Sequence, residues 1–190
     1  VNTASVAGTD DGIQAYNDGS GELKVTTTGT VTAGDDGIYL ENDGTNLIVN
    51  TVSVTADDEA VEATNNGSGQ LSITTTGDVT SGEDGILIEN HGTDTTVTTA
   101  AVTAGDAGIS VAHDGSGSLN ITTNGLVTSN SDIAIRLNRA ESANFAGTIT
   151  NNAGWVSNNS TALEMHSGFT FTGTINTSAH IIGGNGTAID

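Results

Sequence analysis

Residues 11–33 read DGIQAYNDGSGELKVTTTGTVTA, residues 59–81 read EAVEATNNGSGQLSITTTGDVTS, and residues 107–129 read AGISVAHDGSGSLNITTNGLVTS. These are one motif written three times, 48 residues apart. Between the copies sits a shorter variant, from Gly37-Ile38 to Ala56 and again from Gly85-Ile86 to Ala104. Self-similarity at a period of 20–50 residues is the signature of solenoids and propellers. The anchors Ile13, Ile38, Val61, Ile86, Ile109, Ile135, Leu163 and Ile189 step by 25, 23, 25, 23, 26, 28 and 26 residues. That is too short for a four-stranded propeller blade of about 40 residues and fits one solenoid turn. A helical solenoid is excluded, because Gly supplies 26 and Thr 32 of 190 residues and no apolar stripe of period 3.6 runs through any segment.

Each turn carries three short alternating runs. In the first they are Ile13-Gln14-Ala15, Leu23-Lys24-Val25 and Val31-Thr32-Ala33. Alternation places Ile13, Ala15, Leu23, Val25, Val31 and Ala33 on one face and Gln14, Lys24 and Thr32 on the other. Stacked turns would then bury a narrow column of small aliphatics and leave Thr and charged groups facing water. The spacing from each Val31-type position to the next anchor is 7 residues in four successive turns, while the other arc alternates between 18 and 16. A constant corner beside a variable loop, here Asn-Asp-Gly-Ser-Gly, is what stacked repeats require. The expectation is an all-β, three-sided parallel β-solenoid of about eight coils, roughly 40 Å long at a strand spacing of about 4.8 Å. It forms one domain over 1–190, with alternating 25/23-residue coils over 1–130 and coils of a second consensus, about 26 residues, over 131–190. In that second consensus Phe145-Ala146-Gly147-Thr148-Ile149 returns as Phe171-Thr172-Gly173-Thr174-Ile175.

Composition narrows the partners. The net charge is −20, from 23 acidic and 3 basic residues, which argues against nucleic acid and anionic membranes. Cys and Pro are both absent, which removes disulfides and thiol chemistry from consideration. Aromatic residues make up 3%, so backbone ladders and aliphatic stacking must supply most of the stability. The chain has no initiating Met, signal peptide or apolar run of membrane length, and is expected to be a segment of a longer repeat array.

The runs GDDGIYLENDG (34–44) and VTTTGTVTAG (25–34), with FAGTITNNAGWVSNNSTALEM (145–165) and FTGTINTSAHIIGGNGTAI (171–189), resemble the adhesin-type passenger domains of Gram-negative autotransporters. The resemblance spans essentially the whole chain. It implies a right-handed parallel β-helix, exported across the outer membrane through a C-terminal β-barrel and displayed or shed at the cell surface. It also implies a non-enzymatic role in adhesion or self-association, with a host-cell or bacterial surface protein or glycan as partner and no direct insertion into the membrane. A secreted effector fragment that binds a host receptor and a glycan-active β-helix enzyme are the alternatives.

Candidate sites follow from the columns. An acidic corner precedes the anchors: Asp10-Asp11, Asp35-Asp36, Asp57-Asp58-Glu59, Glu83-Asp84 and Asp106. Carboxylates about 4.8 Å apart repel by roughly 0.9 kcal/mol per pair in water and about 3.5 kcal/mol at an effective dielectric of 20. A solvated edge tolerates this; a dry one needs cations, and Asp11, Asp36, Asp58, Asp84 and Asp106 are the candidate ligands for Ca²⁺. Asp35 and Asp57, with Tyr16 and Tyr39 on adjacent coils, are the candidate recognition residues. The column Asn17, Asn42, Asn65, Asn90, His113 is expected to bond turn backbone and to form an amide ladder. His91, His166 and His180 share no ligand spacing and read as surface residues. The Thr column Thr32, Thr55, Thr80, Thr103, Thr128 has the irregular partners Thr30, Ser53, Asp78, Ala101 and Leu126, which does not keep the array an ice-binding face needs. Glycan cleavage needs a carboxylate cluster with a cation nearby. The bases are Lys24, Arg136 and Arg139, the last two placed for structural pairing, and no Gly-x-Ser-x-Gly elbow occurs.

Overall fold

In the computed structural model the alternating runs become strands, and each strand pairs in parallel with its equivalents in the adjacent turns, the end strands on one side only. The structure describes residues 1–138, 145–166 and 170–190. Arg139 lies outside them. Three sheets result. Sheet I holds Ile13–Asn17, Ile38–Asn42, Val61–Asn65, Ile86–Asn90, Ile109–His113, Ile135–Asn138 and Leu163–Met165. Sheet II holds Asn2–Thr3, Leu23–Thr27, Leu47–Thr51, Leu71–Thr75, Thr95–Thr99, Leu119–Thr123, Gly147–Asn151 and Thr174–Thr177. Sheet III holds the short strands Val6–Ala7, Val31–Thr32, Val54–Thr55, Val79–Thr80, Val102–Ala104, Val127–Ser129, Trp155–Ser157 and Ile181–Gly183. No helix occurs among the described residues, and so none long and apolar enough to cross a membrane.

The chain is thus a β-solenoid of about seven turns, one fewer than the anchors suggested. The first strands of sheets II and III have no sheet I partner before them, and the last anchor, Ile189, makes only an isolated bridge to Leu163. The anchors themselves stack in one register, Ile13 to Ile38 to Val61 to Ile86 to Ile109 to Ile135 to Leu163. The sheets run unbroken from the first consensus into the second.

Alternation decides what is buried. Ile38, Leu40, Leu47, Val49 and Val54 are fully buried in one turn, and their counterparts Ile86, Val97 and Val102 repeat the pattern two turns on. Trp155 is the largest fully buried side chain, donating its indole N–H to Thr123 Oγ1 at 2.9 Å. The backbone before it turns at Gly154, whose φ of +131° is open to Gly and strained for other residues.

One expectation needs correction. Thr does not only face water: Thr27, Thr51, Thr75, Thr99 and Thr123 point inward as a buried column on sheet II. The cause is the same alternation, since in Val25-Thr26-Thr27 the inward parity that takes Val25 also takes Thr27. Buried hydroxyls need partners, and neighbouring rungs supply some, as where Thr27 Oγ1 lies 2.7 Å from Thr51 Oγ1.

Candidate functional site

The three sheets sort the charge. Among the described residues no strand of sheet II or III contains an acidic residue. Apart from Asp78 and Asp190, the described acids lie at the corner from sheet III to sheet I, on outward positions of sheet I, or in the loop from sheet I to sheet II. Sheet II instead presents two outward columns: Lys24, Ile48, Ser72, Thr96, Asn120, Thr148 and Thr26, Asn50, Thr74, Thr98, Thr122, Thr150. This face is two columns wide, broader than the single Thr32 column on sheet III, though less regular in composition. In the sequence this face is masked, because Lys24, Ile48, Ser72, Asn50 and Asn120 interrupt its Thr positions.

At the acidic corner, backbone register divides the candidates between two columns. Backbone pairing sets Gly12 beside Gly37, Ala60 and Gly85, so the residues just before them, Asp11, Asp36, Glu59 and Asp84, form the inner column. That column closes at the buried Ala107 and Ile133. Asp10, Asp35, Asp58, Glu83, Asp106 and Asp132 form the outer one. Asp58 and Asp106 therefore stand one residue out of register with Asp11, Asp36 and Asp84, and Glu59 takes the inner place in its turn. Asp57 is exposed beside Asp58.

The inner carboxylates also do structural work. Asp36 Oδ1 accepts the Glu59 backbone N–H at 3.3 Å, and Asp84 Oδ1 accepts that of Ala107 at 2.8 Å. Each clasps the turn that follows. Crowding has an electrostatic cost: burial first, then a hydrogen bond and repulsion from Asp36, push the Glu59 carboxyl up to about 7. Burial also raises Asp36, Glu62 and Asp84, and the hydrogen bond with Asp58 raises the exposed Asp35. One oxygen from each of Asp36, Glu59 and Glu62 lies within 4.8 Å of the others, an all-oxygen group of the kind hard cations or shared protons suit. Glu59 belongs to the acidic corner legible in the sequence, though not to its candidate ligands, and Glu62 lies outside that corner.

The outward face of sheet I carries the remaining candidates. The Tyr16 and Tyr39 rings lie 5.9 Å apart and tilted by 58°, with Tyr16 exposed. Tyr39 donates its hydroxyl to Glu41 Oε1 at 2.6 Å, which raises the phenol above its usual range. Further along, the small side chains of Ser110 and Ala112 leave a hollow of about 130 Å³ bordered by Glu62, Thr64, Leu87, Glu89 and Asn138. Arg136, on the same sheet, pairs with Asp132.

The Asn column is a continuous amide ladder. Asn17 Nδ2 donates to Asn42 Oδ1 at 2.6 Å, Asn42 to Asn65 at 2.7 Å, and Asn65 to Asn90 at 2.9 Å. Each amide also donates to a carbonyl of its own loop: Gly21 for Asn17, Thr45 for Asn42, Gly69 for Asn65 and Thr93 for Asn90. At the next rung Asn90 donates to Thr95 Oγ1, which lies 2.8 Å from Nδ1 of the fully buried His113. His113 Nε2 faces the Gly117 carbonyl at 3.2 Å, which only accepts, so that nitrogen carries a proton. The polar ladder then passes to an aromatic one, His113 against Phe145 against Phe171. These residues hold the loops, and the ladder is a structural device. His166 and His180 are exposed, whereas His91 sits between Glu89 and Asp114.

Set against family models, curated proteins and solved structures, the chain shows no match.

Proposed function

We propose that this chain is a non-enzymatic segment of a passenger-type rod, a right-handed, three-sided β-helix at the surface of a Gram-negative bacterium. It acts by adhesion to a surface protein or glycan, or by self-association. The observation that carries this reading is the partition of charge: apart from Asp78 and Asp190 the described acids keep to sheet I and its two flanking turns, while the outward columns of sheet II hold no acid and a single charge, Lys24. Solubility alone is served by charge spread around the rod. Segregation gives it two sides of different chemistry, each repeating at the turn spacing. Contacts that are weak per turn then sum along the length. Among the described residues the arrangement of the bases supports a binding role over turnover, since Arg136 is paired with Asp132 and Lys24 stands on sheet II, no strand of which holds a carboxylate.

The test is display of the chain on a non-adherent bacterium, with attachment to cultured cells and cell–cell clumping as readouts. Exchanging Asp35, Asp36, Asp57 and Asp58 together for Asn should lower attachment several-fold and weaken its dependence on ionic strength, with the fold intact by circular dichroism. Unchanged attachment would exclude the acidic corner as the recognition surface. Turnover of any glycan by the purified chain would overturn the non-enzymatic reading.

A further inference from the structure

Glu89, His91 and Asp114 stand apart from the acidic corner, at the point where sheet I gives way to the loop leading to sheet II. Strand geometry brings them together. Glu89 and His91 are two residues apart at the end of one turn and so share a face. Asp114 occupies the place equivalent to His91 one turn later, since Asn90 pairs with His113 and each following N–H bonds the Asn of the preceding turn. His91 Nε2 lies 3.0 Å from Glu89 Oε1, and His91 Nδ1 lies 3.9 Å from Asp114 Oδ2. One ligand atom from each of the three lies within 4.8 Å of the others.

We propose that these three side chains form a binding site for a divalent transition metal of the zinc class, with one coordination position left to water or to a partner. The donor set decides the class. Ca²⁺ and Mg²⁺ take oxygen ligands, six or more for Ca²⁺, whereas an imidazole with two carboxylates suits Zn²⁺, Co²⁺ or Ni²⁺. The Asp36, Glu59 and Glu62 group has no nitrogen donor, so the two clusters differ in kind. Burial assigns roles within the trio. Asp114 is 8% exposed and is the fixed ligand, while His91 at 41% and Glu89 at 50% are free to rotate onto an ion. Ligands on a tetrahedral ion at about 2.0–2.1 Å sit roughly 3.3 Å apart, a closure within reach of two exposed side chains. With His91 neutral the trio carries two negative charges, and the chain's net charge of −20 concentrates divalent cations around it. The scaffold does not require this combination: the three earlier equivalents of Glu89 and His91 on this edge are Tyr16 with Asp18, Glu41 with Asp43 and Thr64 with Asn66.

The whole chain, freed of metal, is titrated with Zn²⁺ by calorimetry and with Co²⁺ by visible absorption. One equivalent of Zn²⁺ should bind, and Co²⁺ should develop ligand-field bands that Zn²⁺ abolishes and equimolar Ca²⁺ leaves in place. His91→Ala, an exposed change, should weaken binding at least tenfold with an unchanged circular dichroism spectrum, and Asp114→Asn should do the same. Absence of saturable Zn²⁺ uptake, uptake unchanged in His91→Ala, or displacement of Co²⁺ by Ca²⁺ would each overturn the site.

Discussion

Thr99 and Thr123 lie on the same inward column one turn apart, yet replacing each by Val is expected to act in opposite directions. The Thr99 hydroxyl is buried with no hydrogen-bond partner, whereas Thr123 accepts the Trp155 indole N–H. Thr99→Val keeps the shape, removes an unmet polar group and should raise the melting temperature, by about 1 kcal/mol of stability. Thr123→Val strands the buried indole and should cost about 1–3 kcal/mol. Thermal melts of both variants beside the parent check this. Glu59 gives a second residue-scale outcome. Its carboxyl rises from an ordinary 4.5 to about 7 in the fold, so the native state holds the proton more tightly. The associated stability is fully present below pH 4.5 and is lost as pH rises through 7. Melting should therefore be higher at pH 5 than at pH 8, with Glu59→Gln flattening the difference. Because Glu59 is only partly buried, solvent screening limits the effect to about 1 kcal/mol. Neither role stands out in the sequence: Thr99 sits inside a Thr-rich run whose parity is ambiguous, and Glu59, two residues before Val61 as Asp36 is before Ile38, ends an Asp-Asp-Glu run that does not show which carboxylate turns inward.

At the scale of the strand, the anchor column was the most legible feature, because a period near 25 with alternating neighbours fixes both register and inward face. Ile38 shows what the column carries. It is fully buried between Ile13 and Val61, and Ile38→Asp places an unpaired charge in a core one aliphatic layer deep. The expected loss exceeds about 4 kcal/mol, read as a collapsed melting temperature or an insoluble product. The loop Asn residues were legible as well, since a repeated Asn before Asp-Gly or Asn-Gly has a turn chemistry of its own. What stayed hidden is the Glu89, His91 and Asp114 grouping. It occurs once, so repetition gives no signal, and it joins residues 23 positions apart that become neighbours only after stacking.

For the molecule as a whole, charge segregation governs the response to salt. Like charges along the corner are eased by any electrolyte. Melting temperature is therefore expected to rise equally in CaCl₂ and NaCl matched for ionic strength. A Ca²⁺-specific gain would assign a bound ion to Asp36, Glu59 and Glu62. The parallel pairing has a mechanical consequence too. Every strand leans only on the turn before and the turn after, so a load on one end meets the outermost turn alone, and that turn has no support beyond its single neighbour. Pulled from its termini, the chain should yield in steps, each releasing one repeat of 23–28 residues. At about 3.3–3.6 Å per extended residue each step lengthens the tether by roughly 75–100 Å. A single-molecule trace should show a ladder of similar increments, whereas one all-or-none rupture would contradict it. Such a rod sheds length under tension a turn at a time and keeps its remaining turns, and whatever they hold, in place.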